Sequence, residues 1–446
     1  MSSKTDYKPI ITACAFLLLF VNVGFTSTSF SIYQSHIVDL PGVGDVGGSI
    51  VVTVRTFVAL ICMFFTGLYY RRINPRIGFF IATLFTAFAF VLFGHAETLT
   101  GLCIASFFAG IGYGFGGMVA STFLIGNRFR GKVGSVSGIA TMGSGVAAIF
   151  IPLLTGWLID SFSLSVSFYV EAAIAFALAI LLVLLVRAKP QDVGLEPFVA
   201  QEKSQANTEE KHERKHVHEH KAHHHFHHVH HAHHLGPFAQ PKVNLSSVAL
   251  PKSSYWAMIF ALVLLGGVSV AGYNYFGILL TTQGIDLGIA AVLISLAGVF
   301  LTLSKFLVGV VCDKFGTLIG SFVFFILLIA AMLLCALVGT AGIPEAALAA
   351  IILGIGMPLG TTGVALWSLE LSSAEQMLKT IRHFQLAYAF GGFIFNLMPG
   401  VLCAITGTYT TSYFVMMGMT AICAIIVITV YARHIARAQK ASAYSL

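Results

Sequence analysis

The chain has 446 residues, of which 57% are hydrophobic and 10% are charged, and its mean hydropathy is +0.88. Soluble domains carry roughly 25% charged residues, so the composition excludes a soluble enzyme and predicts a polytopic membrane protein. The formal net charge of +7 does not indicate nucleic-acid binding, because membrane proteins accumulate Lys and Arg on their cytoplasmic side. The seven cysteines form no CxxC pair, and we expect no cofactor.

Two groups of apolar segments follow along the chain, each segment about 20 residues long and able to span a bilayer as a helix. The first group covers residues 10–33, 48–70, 76–94, 98–125, 133–159 and 165–187. The second group covers residues 254–281, 287–311, 316–340, 343–370, 381–404 and 411–433. This pattern predicts an all-α membrane protein with 12 transmembrane helices. Its two six-helix pseudo-repeats, residues 1–187 and 254–446, flank a cytoplasmic His-rich linker at 188–253.

Lys and Arg are distributed unevenly over the connecting segments. None occurs in the alternate loops 34–47, 95–98, 160–164, 282–286, 341–346 and 405–410. The opposite loops and both termini carry these residues. The positive-inside rule therefore places both termini in the cytoplasm, and we predict a multi-pass protein of the cytoplasmic membrane.

The two halves contain similar short patterns. Gly145 precedes Pro152 by seven residues in the fifth segment, and Gly392 precedes Pro399 by the same spacing in the eleventh. Internal repeats with a binding site between them are typical of secondary transporters. We expect such a protein, acting as a monomer within the lipid bilayer.

Only two of the 25 Lys and Arg residues, Arg55 and Lys305, lie well inside apolar segments. A charge in the membrane interior is costly and marks a functional site by default, so these two cations predict a small anionic substrate. Two other interpretations are open. Lys305 could extend its long side chain toward the membrane surface, and Arg55 could form a structural ion pair with Glu171.

Neutral polar side chains within the apolar segments are further candidates for substrate binding. Asn and Tyr can donate hydrogen bonds to a carboxylate without adding charge. The same residues also hold membrane helices together, which is the alternative interpretation. The candidates are Asn22, Tyr273, Asn274, Tyr388 and Asn396.

The linker contains 13 of the 17 histidines. Neutral imidazoles bind Zn²⁺, Ni²⁺ or Cu²⁺, so His223, His224, His225, His227 and His228 are candidates for loose divalent-metal binding. The alternative is a low-complexity linker without a metal role.

Gly309, Asp313, Lys314 and Gly316 stand at the end of the eighth apolar segment and just after it, with a distinctive spacing. The pattern of glycine, three residues, Asp, a basic residue, one residue and glycine resembles the loop signature of the major facilitator superfamily. The resemblance implies the major facilitator fold and an ion pair at this loop that stabilises one gating state. The first-half copy differs, because Arg71 stands where the acid is expected.

A narrower resemblance rests on short glycine-rich stretches and on residues 190–197 and 406–409. Its residues in the fourth and fifth segments are Gly112, Gly114, Gly116, Gly117, Asn127, Arg128, Phe129, Gly138, Ala140, Gly143, Gly145 and Pro152. They occur in an order similar to that of the oxalate/formate antiporter and monocarboxylate porter families. Members of these families bind the substrate carboxylate with an Arg four residues before the motif glycine, and Lys305 holds that position here.

Two departures from these families limit what the resemblance implies. The first segment offers Asn22 in place of a Lys, and Leu301 stands where the porters have an acid, so proton coupling by that acid–base pair is not expected. The resemblance implies secondary transport of a carboxylate such as formate, oxalate, lactate or pyruvate. The alternatives are a transporter of another solute or drug, and a metal-linked transporter or sensor that uses the His-rich loop.

Overall fold

The computed structural model describes residues 8–126, 133–186, 248, 250–339, 342–372 and 377–443. Within these ranges, twelve helices are long and apolar enough to cross a membrane, and the ranges contain no β-strand. The predicted all-α architecture with twelve spans is therefore confirmed. The proposed metal-binding histidines, 223–228, lie outside the described residues, as does most of the linker.

Six spans form the first half and six form the second. The first-half helices are α1 (Pro9–Val38), α2 (Gly44–Arg72), α3 (Pro75–His95), α4 (Leu99–Ile125), α5 (Gly138–Ser161) and α6 (Leu164–Leu185). The second-half helices are α7 (Lys252–Asn274), α8 (Leu287–Phe315), α9 (Thr317–Leu337), α10 (Ile343–Glu370), α11 (Lys379–Thr406) and α12 (Thr410–Ala441).

Several spans are not continuous α-helices. In α1 the chain is α-helical over Lys8–Leu19 and Ser31–Val38, and it forms a π-helix over Phe20–Thr28. Breaks also divide α4, α10 and α11, and a short helix, Phe276–Thr282, extends α7. Wide π-turns are rare and often occur at functional sites, which makes the middle of α1 a candidate position.

The short loops are fixed by side chains that cap the next helix. Asn74 accepts a hydrogen bond from the Arg76 amide, and Thr98 accepts one from the Gly101 amide. Asp286 does the same at the start of α8, where Gly288 is the donor. Such caps satisfy amides that have no partner within the helix, so neighbouring spans are joined at defined positions.

Glycines allow close packing within each half. A side chain at Gly112 would collide with Thr86 of α3, and one at Gly114 would collide with Cys62 of α2. In the second half, Gly266 of α7 lies against the backbone of Tyr388 in α11. Small residues let membrane helices approach closely, so the glycine-rich stretch of α4 serves helix packing.

The two halves contact each other toward the end of the molecule that is opposite the termini. Gly298 of α8 packs against Ala148 of α5, and Gly400 of α11 packs against Ser49 of α2. Gly277, after α7, lies against the Ser31 carbonyl at the end of α1. We call these contacts of α1, α2 and α5 with α7, α8 and α11 the distal closure.

The contact between α5 and α8 ends before the helices reach the side of the termini. Gly138 of α5 and Gly309 of α8 both have open space where a side chain would begin. On α8, the contacts with α5 run from Ala291, against Gly156, to Lys305, ten residues before the end of the helix at Phe315. Between α5 and α8 the interface is therefore closed at its distal end and open toward the termini.

Candidate substrate-binding site

Arg55 lies on α2 and is 4% exposed. Its Nη1 donates a hydrogen bond to the Thr26 carbonyl in the π-helical part of α1. The guanidinium carbon also lies over the Phe30 ring, 5.6 Å from its centroid, a cation–π arrangement. The phenol groups of Tyr113 and Tyr275 lie in the neighbourhood of this guanidinium. Arg55 is thus positioned by contacts within the first half and faces the second through Tyr275.

Lys305 lies on α8 and contacts the opposite half. Its Nζ donates hydrogen bonds to the Thr141 carbonyl at 3.0 Å and to the Ser144 hydroxyl at 3.1 Å, both on α5. The side chain therefore points across the interface between the halves rather than toward the membrane surface.

The π-helical part of α1 connects the surroundings of the two cations. Thr26 accepts the hydrogen bond from Arg55, and two residues later the Thr28 hydroxyl donates to the Ser144 carbonyl at 3.0 Å. Ser144 in turn accepts the hydrogen bond from Lys305. A short stretch of one helix therefore contacts the partners of both positive charges.

Neither cation has a carboxylate partner within the described part of the chain. Glu171 accepts hydrogen bonds from Tyr33 at 2.6 Å and from Thr155 at 2.5 Å, so the alternative ion pair with Arg55 is not formed. Glu370, at the end of α10, accepts hydrogen bonds from Thr317 and Tyr431. The two positive charges are therefore met by carbonyl and hydroxyl oxygens and are not neutralised.

Tyr113 is a further candidate for the site, which the sequence pattern did not reveal. It is half-buried on α4 and lies in the neighbourhood of Arg55 and of Tyr388 on α11. The Tyr388 hydroxyl lies close to the Ser269 hydroxyl. A tyrosine hydroxyl can both donate and accept, so both phenols are candidate donors to a bound group. The signal was hidden because Tyr113 stands between Gly112 and Gly114, whose spacing indicates helix packing.

Asn274 and Asn396 lie in the distal closure. Asn274 donates to the Asn396 side chain at 3.3 Å, and Asn396 donates to the Thr56 hydroxyl of α2 at 3.2 Å. Beside them the Tyr275 hydroxyl donates to Ser49 at 2.7 Å. These polar groups connect the second half to α2.

Asn22 and Tyr273 occupy different positions from the two cations. The Asn22 amide is buried within the first half, where it donates to Thr83 and accepts from Thr86 of α3. The arrangement has the form of interhelical polar packing. Tyr273 is buried in the second half, and its hydroxyl has no partner within the described ranges.

The charged end of the motif, in the last turn of α8, is exposed in this conformation. Asp313 forms no ion pair with any described residue, and Lys314 lies over the Phe315 ring with its Nζ 5.4 Å from the centroid. Gly316 has φ +90° between α8 and α9, a backbone conformation that favours glycine. Among the described residues the expected ion pair is therefore not formed, and the gating role of Gly309, Asp313, Lys314 and Gly316 stays a prediction.

Twelve candidate membrane spans in two halves point to a membrane transport protein. Residues 14–395 match the family model of the Major Facilitator Superfamily, and the chain therefore belongs to that superfamily. No curated protein sequence matches the chain. The described residues also contain no group of three or more His, Cys, Asp and Glu side chains that could hold a metal ion.

Solved structures of superfamily transporters share the fold. A POT family transporter in complex with 5-aminolevulinic acid superposes with a TM-score of 0.68 at 14% identity, and 96% of each chain is covered. The nucleoside transporter NupG gives 0.66 at 12% identity, with 96% of this chain and 100% of that chain covered. A D-xylose-proton symporter gives 0.65 at 14% identity, with coverage of 94% and 95%. At these identities the likeness concerns the fold alone.

Proposed function

We propose that this protein is a secondary transporter of a small organic anion, a mono- or dicarboxylate such as formate, oxalate, lactate or pyruvate. It would act by alternating access, with the termini and the open end of the interface in the cytoplasm. Lys305 and Arg55 would attract the carboxylate, and Tyr113 and Tyr388 would donate hydrogen bonds to it. The resemblance to the oxalate/formate antiporter and monocarboxylate porter families supports this substrate class.

One observation carries the proposal. Arg55 and Lys305 lie within membrane-spanning helices and have no carboxylate partner among the residues described. Buried charges are normally paired, because a lone charge in a poorly polarisable interior is unfavourable. A carboxylate bound between the halves would supply the missing negative charge.

The arrangement of the halves fits this role. Lys305 belongs to the second half, and its hydrogen-bond partners Thr141 and Ser144 belong to the first. A substrate that replaced these partners would contact both halves at once. Its binding free energy could then favour one arrangement of the halves over the other, which is what alternating access requires.

Transport of a cationic compound or a metal ion is the rival proposal. It would require an acidic side chain facing the interface between the halves. Glu171 is fully buried among first-half residues, and Glu370 is bonded to Thr317 and Tyr431 within the second half. The surroundings of these two acids favour an anionic substrate instead.

Proteoliposomes that contain the full chain test the proposal. Radiolabelled formate, oxalate, lactate and pyruvate are offered in counterflow, with lactamide as a neutral analogue of lactate and tetraphenylphosphonium as a cation. We expect counterflow of at least one carboxylate and none of the amide or the cation. Uptake of the amide or the cation without any carboxylate would overturn the proposal.

The role of the His-rich loop is tested in the same preparation. A variant that lacks residues 212–234 should transport carboxylates at the unaltered rate, because both cations lie outside this segment. Two results together would favour a metal-linked transporter instead: loss of transport in that variant, and recovery of wild-type transport when Zn²⁺ is added back after chelation.

A further inference from the structure

Glu171 is a buried acid in α6 to which the proposed function assigns no role. It lies about 10 Å from the start of the helix at Leu164, given a rise of about 1.5 Å per residue, and its exposed fraction is 0%. Its Oε1 accepts hydrogen bonds from the Tyr33 hydroxyl at 2.6 Å and from the Thr155 hydroxyl at 2.5 Å. Its Oε2 is buried and has no hydrogen-bond partner among the described residues.

The surroundings of this carboxyl group are apolar. Tyr33 of α1 stacks on Phe168 with 4.1 Å between the ring centroids, and Phe93 of α3 stacks on Phe168 at 5.4 Å. Thr155 is the contact from α5. Among the described residues, Tyr33 is the one titratable group that interacts with Glu171.

These contacts are unsuited to an ionised carboxylate. Both available donors bind Oε1, which leaves Oε2 with no donor and no nearby cation within the described ranges. A negative charge on this oxygen would be desolvated without compensation. A proton on Oε2 removes the charge while Oε1 keeps both hydrogen bonds.

We propose that Glu171 is a proton-binding site that is protonated in this conformation and that couples the movement of the anion to the movement of a proton. This proposal rests on the proposed function. An O–H bond forms at Oε2 with a proton from the water on one side of the membrane. The bond breaks to water on the other side after the halves rearrange, so one proton accompanies one negative charge.

The helix that holds Tyr33 connects Glu171 to the moving parts. Four residues separate Tyr33 from Ser29, whose hydroxyl donates to Ala147 of α5, and Ser31 contacts Gly277 in the distal closure. Further back on the same helix, Thr26 accepts the hydrogen bond from Arg55. Loss of the proton from Glu171 would therefore act on α1, the helix that contacts both the distal closure and Arg55.

The end of α1 also offers a route for water. Ser31 Oγ and both side-chain polar atoms of Gln34 are buried without a hydrogen-bond partner among the described residues. Buried polar groups without partners are unfavourable, and opening of the distal closure would hydrate them. Ser31 and Gln34 belong to the same helical segment as Tyr33, which donates to Glu171.

Infrared spectroscopy of the full chain in lipid tests protonation without any substrate. The wild-type protein should show the C=O stretch of a neutral carboxyl group at neutral pH, and Glu171→Gln should lack it. Glu370→Gln is the matched control, because both oxygens of Glu370 accept hydrogen bonds, and it should keep the band. An unchanged band in Glu171→Gln would overturn the proposal.

Transport driven by a pH gradient tests the coupling. Glu171→Gln should lose accumulation of the carboxylate against its gradient while counterflow exchange continues, and Glu370→Gln should retain both. Glu171→Asp keeps a proton-binding group and should retain part of the accumulation. This variant provides the test if Glu171→Gln does not fold. Wild-type accumulation in Glu171→Gln would refute the coupling, whereas absence of carboxylate counterflow in the wild type would refute the proposed function alone.

Discussion

Arg55 and Lys305 are both cations within membrane-spanning helices, but they contact different parts of the molecule. Arg55 donates to Thr26 of its own half, and Lys305 donates to Thr141 and Ser144 of the opposite half. When the halves rearrange, the first contact can move as part of a rigid unit, whereas the second must break or change. Arg55 therefore belongs to the framework of the site, and Lys305 belongs to its moving interface.

The same distinction separates the packing contacts. Gly112 and Gly114 bring α4 against α3 and α2 within one half, and Gly298 brings α8 against α5 of the other half. Contacts of the first kind stabilise the fold. Contacts of the second kind set the balance between the two arrangements of the halves. Four variants test the distinction, in order of decreasing expected effect.

Lys305→Ala should have the largest effect. Removal of one partner from a buried pair of charges costs about 2–5 kcal/mol, so carboxylate affinity should fall on the order of 30-fold to several thousand-fold. Uptake kinetics in proteoliposomes measure this change. Lys252→Ala, which alters an exposed cation at the start of α7, should transport normally. Full activity of Lys305→Ala would remove the lysine from the substrate site.

Arg55→Ala should reduce the stability of the first half as well as uptake. The substitution leaves the buried Thr26 carbonyl without its charged donor, at a cost of about 1.5–3 kcal/mol. The midpoint of thermal unfolding in detergent should fall, and Arg71→Ala, at the exposed end of α2, should leave it unaltered. If Arg55→Ala unfolds at the wild-type temperature, its contact with Thr26 does not stabilise the half.

Gly298→Ala should weaken the distal closure. A Cβ atom at this position would lie 2.7 Å from the Ala148 backbone, and overpacking typically costs about 1–3 kcal/mol. The equilibrium should shift toward the open distal end by roughly 5- to 150-fold. The rate of thiol labelling at the buried Cys403 of α11, in a chain without the other cysteines, reports this shift.

Gly418→Ala is the control for this substitution, because Gly418 lies on α12, outside the distal closure, and has open space around it. It should label at the parent rate. Equal labelling rates in the Gly298 and Gly418 variants would show that the α5–α8 contact does not control opening.

Tyr409→Phe should have the smallest effect. Its hydroxyl donates to Asp45 of the first half at 2.7 Å, and a typical hydrogen bond contributes about 0.5–1.5 kcal/mol. Labelling of Cys403 should accelerate by roughly 2- to 12-fold. Tyr169→Phe removes a hydrogen bond to Gly94 within the first half and should leave labelling unaffected. The comparison fails if both variants accelerate labelling equally.

The sequence was sufficient to predict the twelve spans, because stretches of about 20 apolar residues leave few alternatives to a membrane helix. Arg55 and Lys305 were also recognisable, since a cation within such a stretch is conspicuous. Their partners were not. Thr26, Thr141 and Ser144 contribute backbone carbonyls and a hydroxyl that become neighbours only when helices distant in sequence pack together.

Two other features show where pattern reasoning ends. Asn22 is a polar residue in an apolar stretch, and its sequence neighbours do not show whether its amide faces a cavity. In the structure the amide is hydrogen-bonded to Thr83 and Thr86. Residues Phe20–Thr28 form a π-helix, but their hydropathy would be the same in an α-helix. Hydropathy therefore does not reveal the wide turn. Hydrophobicity predicts that a segment crosses the membrane, but not the rotational position of each side chain.

The wide turn of α1 has a consequence for that rotational position. Each residue of an α-helix advances by about 100°, so removal of a single residue from Phe20–Thr28 would rotate the following segment, Ser31–Val38, by roughly that angle. Tyr33 would then point away from Glu171, and Ser31 away from Gly277. The hydropathy of the span would barely change. The wide turn thus sets the rotation of α1 about its own axis. The contacts of Glu171, of the distal closure and of Arg55 all depend on that rotation.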